Sequence, residues 1–377
     1  MSTALPLILK SITLRNLRCH SLKSWELNSG MNIFQGENGT GKTTVLEAAY
    51  MMAHGRSFRQ SRDPELVNWQ AKSFQLESKW QRYGPVYVSI TGKRGRTEVK
   101  LQGKAVAKRK ELIETLPVIA DAPQARRLID GVTGERRRWL DQLLSVCEPA
   151  FQTHYTAYLR AMMQRSRLLR RQQDDAQLDV WEHQLVQHGK IVRQLRQQVI
   201  ERLNFHLCEE SSWLDAPLEI HIDQAEIKVA SDSSMMNWSD ALAYYRSKDR
   251  KTGRCSIGPH TDTIRITHQG REIRTVGSRG QQKLASIALR LAECATRYGY
   301  RHLWPLLLLD DCMEALDDKR RFRLLLRLQQ YPGQILMTAP NNLMMPEDIS
   351  ATILHMSEDC GESDQQQRFT ADMEKAA

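Results

Sequence analysis

The order of hydrophobic and polar positions gives the first part of the chain a mixed strand and helix pattern. Short apolar runs alternate with polar residues and end at Met31, Ile33 and Phe34, just before a glycine-rich turn. After this turn, apolar residues recur every three or four positions between Val45 and Met52. The pattern predicts short strands followed by a helix.

The middle of the chain has a different pattern. Residues 72–120 hold short apolar runs separated by glycines, which predicts further strands. Two longer apolar stripes follow at helical spacing over residues 155–169 and 181–207. A polar turn at 172–175 separates them, and Arg165 interrupts the first stripe. We predict two long helices in an antiparallel arm, then a mixed region and a frayed polar C-terminal tail.

Composition restricts the class of protein. Of the 377 residues 41% are hydrophobic, and Pro and Gly number only 12 and 20, so the chain is neither disordered nor fibrous. No apolar run reaches the roughly 18 residues of a membrane span, and residues 4–9 are too short for a signal peptide. Seven scattered cysteines favour reduced thiols over disulfides or a zinc site. We predict a soluble cytosolic protein.

The charge balance points to a polyanionic partner. The 54 Lys and Arg residues against 44 Asp and Glu give a formal charge of +10. Such an excess favours nucleic acid, although many basic proteins bind nothing anionic. Residues 93–110 concentrate eight of the basic side chains, which on a hairpin would either face phosphates or remain solvated. The candidate DNA-binding residues are Arg56, Arg59, Lys100, Lys104, Lys108, Arg109 and Lys110, of which the first two are also candidates for nucleotide contact.

The glycine-rich turn matches the phosphate-loop pattern GxxxxGK[ST] in full. Glycines let successive backbone N–H groups point at phosphate oxygens, and the following helix adds the positive end of its dipole. Lys42 is predicted to reach the β- and γ-phosphates, and the Thr43 hydroxyl to coordinate Mg²⁺. The predicted ATP-binding residues are Gly36, Glu37, Asn38, Gly39, Thr40, Gly41, Lys42, Thr43 and Thr44.

A continuous apolar run over residues 304–309 ends in two acids. Such a run is typical of a central parallel strand that is covered on both faces, and ligands bind at the C-terminal ends of these strands. Asp310 is predicted to hold Mg²⁺, directly or through water, and Asp311 to polarise the attacking water. Asp311 and Lys42 are therefore the predicted catalytic residues. The alternative is that both acids merely cap a strand.

A third motif, GSRGQQK at residues 277–283, precedes a strong helical stripe. A Ser-x-Gly-Gln segment at a helix N-terminus is an anion site. In ABC-type ATPases a signature of this kind contacts the γ-phosphate held by the other protomer, and residues 315–317 resemble their D-loop. The predicted contacts to the partner's ATP are Ser278, Gly280, Gln281 and Asp317.

These motifs predict an α/β fold, a P-loop ABC-type ATPase head with a mixed, largely parallel sheet and flanking helices. Residues 1–150 would form its N-terminal half, residues 151–250 an inserted antiparallel helical arm, and residues 251–377 its C-terminal half. A coil that separates two halves of a head is the plan of the SMC-like branch. An ATPase subunit of a transporter or another complex is the alternative, although the insert is long for a transporter. A nuclease with an SMC-like head would need a further acidic domain, for which the sequence after Asp317 is too short.

Additional motifs make nearly the whole chain resemble the RecF family of SMC-like ATPases. They are LEA at 46–48, GRSFR at 55–59, RRRWLD at 136–141, GPHTDT at 258–263, and LLDD at 308–311 followed by Leu316 and Asp317. The sequence departs from the family pattern at several places. Thr261 replaces an arginine and Glu314 a serine, and Gln124 stands where an acid is usual. We regard Gln124 as a candidate for the ATP-contacting Q-loop glutamine of ABC proteins.

The resemblance implies an ATP-dependent DNA-binding protein of recombinational repair and replication restart. It implies a homodimer that closes around two ATP molecules on duplex or gapped DNA, with RecO and RecR as partners in loading RecA and no membrane partner. ATP and Mg²⁺ are the implied cofactors. Thr338 occupies the position of the switch histidine of ABC proteins, so slow, DNA-stimulated hydrolysis is expected to depend on Asp311. No base-reading motif is present, and DNA contact is expected to be directed at the backbone.

Overall fold

The computed structural model describes residues 7–59, 63–93, 95–122, 127–171, 174–210, 213–224, 237–341, 343 and 345–357. Its strands are β1 (Ile8–Leu17), β2 (His20–Glu26), β3 (Met31–Gly36), β4 (Ser73–Gln81), β5 (Pro85–Lys93), β6 (Arg96–Leu101), β7 (Lys104–Ala105), β8 (Val118–Asp121), β9 (Leu218–Asp223), β10 (Thr263–His268), β11 (Arg271–Glu272), β12 (Leu306–Leu309), β13 (Ile335–Pro340) and β14 (Thr352–Met356). Its helices are α1 (Lys42–His54), α2 (Asp63–Leu66), α3 (Arg109–Thr115), α4 (Thr133–Cys147), α5 (Pro149–Arg170), α6 (Asp175–Glu210), α7 (Trp238–Tyr244), α8 (Arg246–Thr252), α9 (Ile273–Val276), α10 (Arg279–Arg301) and α11 (Asp318–Gln329). Gln124, part of the predicted turn at 172–175 and the predicted tail from residue 358 lie outside the described residues.

Five parallel strands form the central sheet in the order β14-β3-β13-β12-β8. Successive residues of β12 enter two different hydrophobic cores. Leu307 and Leu309 join the core that includes apolar residues of α4, α6 and α10, whereas Leu306 and Leu308 join the core that includes those of α1 and β4. Because both faces of the sheet are covered, the apolar run of β12 is continuous rather than alternating. The predicted α/β head with a largely parallel sheet is confirmed.

The two ends of the sequence meet in this sheet. Strand β3 lies between β13 and β14, so the phosphate-loop strand pairs only with strands from the C-terminal part of the chain. The side-chain amide of Gln334, which is completely buried, bonds both backbone groups of Leu9, at 2.7 and 2.9 Å. Neither part of the sequence can therefore complete the sheet alone.

Two antiparallel sheets accompany the central one. The larger has the order β2-β1-β4-β5-β6-β7, and the smaller has the order β11-β10-β9. In β4 every second residue is buried, which points one face of the larger sheet at the core shared with α1. Arg96 and Lys100 lie on exposed positions of β6, as expected for the solvent side of a half-buried sheet.

Helices α5 and α6 form an antiparallel pair. His154 contacts His188 across the pair, and Arg165 contacts Glu182. Residue numbers therefore increase along one helix as they decrease along the other, which makes the pair antiparallel. The predicted interruption at Arg165 does not break the helix, since α5 runs through it and the guanidinium is completely buried in ion pairs with Glu182 and Asp249. None of the helices in the described part of the chain combines the length and apolar composition needed to cross a membrane.

Candidate functional site

The phosphate loop connects β3 to α1 through backbone conformations that favour glycine. Gly39 and Gly41 have φ of 94° and 86°, in the left-handed region. A side chain on Gly41 would overlap the ring of His20, which lies against the loop. Helix α1 begins at Lys42 with no side-chain cap. The N–H groups of Thr44 and Val45 bond the Gly41 carbonyl, and the N-terminus of the helix presents the positive end of its dipole to an anion.

Lys42 is directed into the loop that precedes it. Its Nζ donates to the carbonyl oxygens of Gly36 and Glu37, at 2.7 and 2.6 Å, and the residue is only 7% exposed. Glu37, Asn38 and Gly39 form the exposed tip of the loop. The loop thus surrounds a buried ammonium group, which suits a bound polyphosphate.

The acids after β12 lie beside the phosphate loop, far away in sequence. The Thr43 hydroxyl donates to Asp310 Oδ1 at 2.9 Å, and the Thr338 hydroxyl donates to the same oxygen at 3.0 Å. Asp310 Oδ2 is buried without a hydrogen-bond partner. Burial raises the pKa of Asp310, and the adjacent Asp311 raises it further. The Thr43 hydroxyl and the Asp310 carboxylate, one oxygen of which is buried and unbonded, form a donor set that fits Mg²⁺, and this ion would also offset the buried negative charge.

Asp311 differs from its neighbour in exposure and backbone conformation. Its φ of 48° is uncommon for a residue with a side chain, and such strain concentrates at functional sites. Its N–H donates to the Thr338 hydroxyl at 2.8 Å, while its side chain is exposed. Thr338, completely buried, thus orients both acids. The sequence identified Thr338 only as the replacement of a histidine.

Lys283 joins the signature helix to the acidic strand. Its Nζ donates to the Asp310 carbonyl and to Asp121 Oδ2, both at 3.2 Å, and the residue is only 5% exposed. Asp121 ends β8 and also accepts a hydrogen bond from Ser286 of α10. Sequence reasoning assigned Lys283 no role. The available signal was a lysine on the apolar side of a predicted helix.

The signature residues begin α10 in a reciprocal cap. Gln281 N donates to Ser278 Oγ at 3.3 Å, and Ser278 N donates to Gln281 Oε1 at 2.9 Å. Gly280 is buried against the D-loop, where a Cβ atom would lie 2.9 Å from the Ala315 carbonyl oxygen. Asp317 caps the next helix, α11, by accepting from the N–H of Arg320 at 2.8 Å. The signature and the D-loop are therefore neighbours.

No hydrogen bond among the described residues joins residues 278–281 to residues 36–44. Ser278 is exposed at the start of its helix. The surface that carries it can thus meet a nucleotide held by another molecule.

Glu47, the acid of the LEA motif, organises the segment after α1. It is completely buried, accepts two hydrogen bonds from Arg18 at 2.6 and 2.8 Å, and accepts another from Ser57. Ser57 in turn accepts from the N–H of Arg59 at 2.9 Å. The charge of Arg59 lowers the pKa of Asp310, opposing the effect of burial, which places Arg59 on the nucleotide side.

The other candidate DNA residues do not form one surface with Arg59. Arg56, Arg109 and Lys110 line a cavity beside the C-terminal end of α1. Lys100, Lys104 and Lys108 are exposed around the β6–β7 hairpin, where Lys100 lies 3.8 Å from Glu98. These two groups adjoin, since Lys108 and Arg109 are consecutive residues.

A phosphate loop, an acidic strand and a signature helix on one α/β sheet define an ATPase head of the ABC type. The chain belongs to the RecF proteins within the RecF/RecN/SMC N-terminal domain family, whose family model matches residues 8–361. DNA replication and repair protein RecF of Stenotrophomonas maltophilia (strain R551-3) is 32% identical over 337 residues, which cover 86% of this chain and 92% of that protein. RecF of Heliobacterium modesticaldum (strain ATCC 51547 / Ice1) is 29% identical over 358 residues, covering 90% and 95%.

Solved structures share the fold. The recombination mediator protein RecF-ATPrS in the RecFOR pathway superposes with a TM-score of 0.74 at 23% identity, over 94% of this chain and 97% of that one. The Smc head domain with an extended coiled coil from Pyrococcus furiosus, bound to the C-terminal domain of ScpA, gives a TM-score of 0.55 at 14% identity, over 93% and 94%. The predicted SMC-like head is thereby confirmed at the level of the fold.

Proposed function

We propose that this protein is an ATP-dependent DNA-binding ATPase of recombinational repair and replication restart, acting in the cytoplasm. Two copies close around two ATP molecules, and slow hydrolysis reopens the dimer. The observation that carries this proposal is the exposed position of Ser278, which among the described residues makes no hydrogen bond to the phosphate loop of its own chain. A signature exposed in this way is open to ATP held by a second head.

Each residue of the site has a role in this proposal. The phosphate loop and Lys42 bind the phosphates, while Thr43 and Asp310 hold Mg²⁺. When bound, this ion neutralises charge on the phosphate oxygens. Asp311 orients the attacking water, and Gln124 contributes to the same site. Ser278, Gly280, Gln281 and Asp317 face the ATP of the partner.

The arm and the basic surface extend the proposal to DNA. We assign residues 151–250 to the arm and the segments 1–150 and 251–377 to the two halves of the head. The net charge of +10 and the exposed lysines around β6 and β7 favour contact with the DNA backbone, without base readout. The names of the relatives refer to DNA replication and repair and to the RecFOR pathway, which supports a role on DNA. We propose gapped DNA as the substrate and RecO and RecR as the partners.

Dimerisation and DNA-dependent turnover test the proposal together. The molar mass from light scattering is expected to double when ATP and Mg²⁺ are added, and ATP hydrolysis is expected to rise with gapped DNA. The alternative is an ATPase subunit of another SMC-like or ABC-type complex. It would be supported if neither duplex nor gapped DNA changed the dimer or the turnover rate.

A further inference from the structure

A large cavity lies at the outer edge of β8, away from the phosphate loop. Its volume is about 1020 Å³, and its walls come from the C-terminal end of α1 and from α3, α4 and α10. Helix α1 begins at Lys42, and the first of its residues to line the cavity is Tyr50, which lies eight residues, or about 12 Å, further along the helix axis. The phosphate loop is at one end of α1 and the cavity at the other, which separates the cavity from the predicted ATP site.

The wall formed by α10 carries buried positive charge in excess. Arg290 and Arg297 are only 9% and 8% exposed, and each donates to Glu293 at 2.7 Å. Trp139 Nε1 also donates to this carboxylate, at 2.9 Å. Arg290 Nε and both Nε and Nη1 of Arg297 are buried without a hydrogen-bond partner. Two guanidinium groups therefore share one carboxylate and leave three donors unbonded, which is costly in a protein interior.

The rim of the cavity adds further positive charge. Arg56, Arg109 and Arg138 line it and are exposed, and no carboxylate of the described residues lies within salt-bridge distance of these three side chains. His54 lies near this positive charge and stacks on Tyr50, with ring centroids 3.9 Å apart. Burial lowers the pKa of His54 to about 3, and the charges of Arg297 and Arg56 contribute in the same direction.

We propose that this cavity is a second anion site, which binds a phosphate-bearing nucleotide unit through Arg290 and Arg297 together with the rim arginines. Guanidinium groups match the geometry of phosphate oxygens, and a phosphate would balance the positive charge that Glu293 alone leaves uncompensated. The aromatic residues Tyr50 and Trp139 line the same space and suit a flat base. The cavity volume is at the upper end of the usual range for small-molecule sites.

This nucleotide unit has two chemical sources, a free nucleotide or a nucleotide of a DNA strand. The second source rests on the proposed function, and the first does not. The test uses the full chain with Lys42→Ala, which removes binding at the phosphate loop. Isothermal titration then measures the affinity for dAMP, for a 5′-phosphorylated single-stranded tetranucleotide, and for adenosine, which lacks the phosphate.

We expect Lys42→Ala protein to bind at least one of the two phosphorylated probes and to bind adenosine at least tenfold more weakly. Adding Arg109→Gln and Arg138→Gln is expected to weaken binding of the phosphorylated probe at least tenfold. Both substitutions are at exposed positions, so the protein should fold, whereas changing buried Arg297 endangers folding. The matched control is Arg160→Gln on the exposed side of α5, which should leave the affinity unchanged.

Two results would overturn the second site. One is that Lys42→Ala protein binds neither phosphorylated probe, and the other is that Arg109→Gln with Arg138→Gln binds them as tightly as the control does. Tighter binding of dAMP identifies a free nucleotide as the source, and tighter binding of the tetranucleotide identifies a strand. Failure of the proposed function would give a different result. Wild-type protein would then not dimerise with ATP, while the Lys42→Ala protein would still bind a probe.

Discussion

Asp310 concentrates the chemistry of the nucleotide site in a single side chain. One carboxylate oxygen accepts from Thr43 and Thr338, while the other is buried and unbonded. Asp311, only one residue further, is exposed and strained. The two acids therefore have different environments, which suits one for a cation and the other for a water molecule.

Substitutions of Lys42 and Asp311 should separate nucleotide binding from hydrolysis. Lys42→Ala removes the ammonium group from the phosphate loop, and we expect it to abolish ATP-dependent dimerisation. Asp311→Asn keeps the shape but removes the carboxylate that orients water, so the dimer should form with ATP and remain closed. Light scattering over time, combined with phosphate release, measures both effects. If Lys42→Ala protein dimerised with ATP to the same extent as wild type, the assignment of the phosphate loop as the ATP-binding site would be wrong.

His54 should make the stability of the protein depend on pH. Its pKa is lowered from 6.5 to about 3. Between these pH values His54 is protonated in the unfolded chain and neutral in the folded chain. Stability is full above pH 6.5 and decreases as the pH falls. From pH 7.5 to pH 5 this one group should cost about 2 kcal/mol. Urea denaturation should show that His54→Gln reduces the loss by that amount.

The exposed His183 of α6 provides the control for this measurement. His183→Gln should leave the pH dependence of the unfolding free energy as it is in wild type. Equal slopes for His54→Gln and wild type would mean that His54 is protonated normally in the folded state.

At the scale of elements, α10 connects the chemistry of the two ATP molecules in the proposed dimer. Its N-terminus carries the signature, and one turn later Lys283 bonds the Asp310 carbonyl and Asp121. A displacement of this helix by the partner's ATP would therefore reach the acidic strand through a direct hydrogen bond. This geometry gives each site a physical means of sensing the other.

Ser278→Arg should block dimerisation while leaving ATP binding by the monomer intact. The new side chain would stand on the exposed signature surface, where it clashes with an approaching head, while the phosphate loop is untouched. Nucleotide affinity of the monomer, measured by titration with a fluorescent ATP analogue, should remain within twofold of wild type. A large loss of that affinity would show that the signature acts on the ATP of its own chain.

An ion-pair cluster around Arg165 joins the helix pair α5 and α6 to α7 and α8. Arg165 is completely buried against Glu182 and Asp249, and it also donates to the Leu242 carbonyl. Arg165→Met would leave Asp249 buried without its cation, at a cost of about 3 kcal/mol. The free energy of unfolding, followed by circular dichroism in urea, should show this loss.

Arg160→Met, on the exposed side of the same helix, is the matched control for this prediction. It should change the free energy of unfolding by less than about 0.5 kcal/mol. If Arg165→Met were equally mild, the buried pairs would not hold the arm together.

For the whole molecule, the interlocking of the chain ends determines where the site can form. The phosphate loop follows β3, Asp310 follows β12, and Thr338 lies near the end of β13. Because these strands are parallel, all three lie at the C-terminal ends of the strands of one sheet. The site therefore exists only after the distant halves of the sequence have paired. The antiparallel pair of α5 and α6 lies between these halves in the sequence.

DNA binding should respond to salt in proportion to the phosphate contacts. Neutralising a phosphate releases counterions, so the affinity for DNA falls as the salt concentration rises. Each lost phosphate contact should make the negative slope of log affinity against log salt less steep by about one. Lys104→Gln and Lys108→Gln should each make this slope less steep, on duplex and on gapped DNA alike. Fluorescence anisotropy with ATP at several salt concentrations measures the slope. Lys251→Gln on α8 is the control, with an unchanged slope. Unchanged slopes for all three would remove this hairpin from the DNA surface.

The sequence alone determined the class of fold, and it predicted the chemistry of the nucleotide site. The phosphate loop, the acidic strand and the signature helix are local patterns, because each depends on neighbouring residues in one element. Their order along the chain predicted the ABC-type head. The long insert with helical spacing predicted the arm, and the resemblance to the RecF family predicted nearly the full length of the match.

Only the tertiary structure decided which distant residues share a charge or a hydrogen bond. Arg165 interrupted an apolar stripe in sequence, yet its partners Glu182 and Asp249 let it stay buried inside a continuous helix. Lys283 and the unbonded donors of Arg290 and Arg297 likewise became visible only after packing. Sequence periodicity sets which side of an element is buried. Which groups meet there depends on how elements pack, and that contact carries no signal in the local sequence.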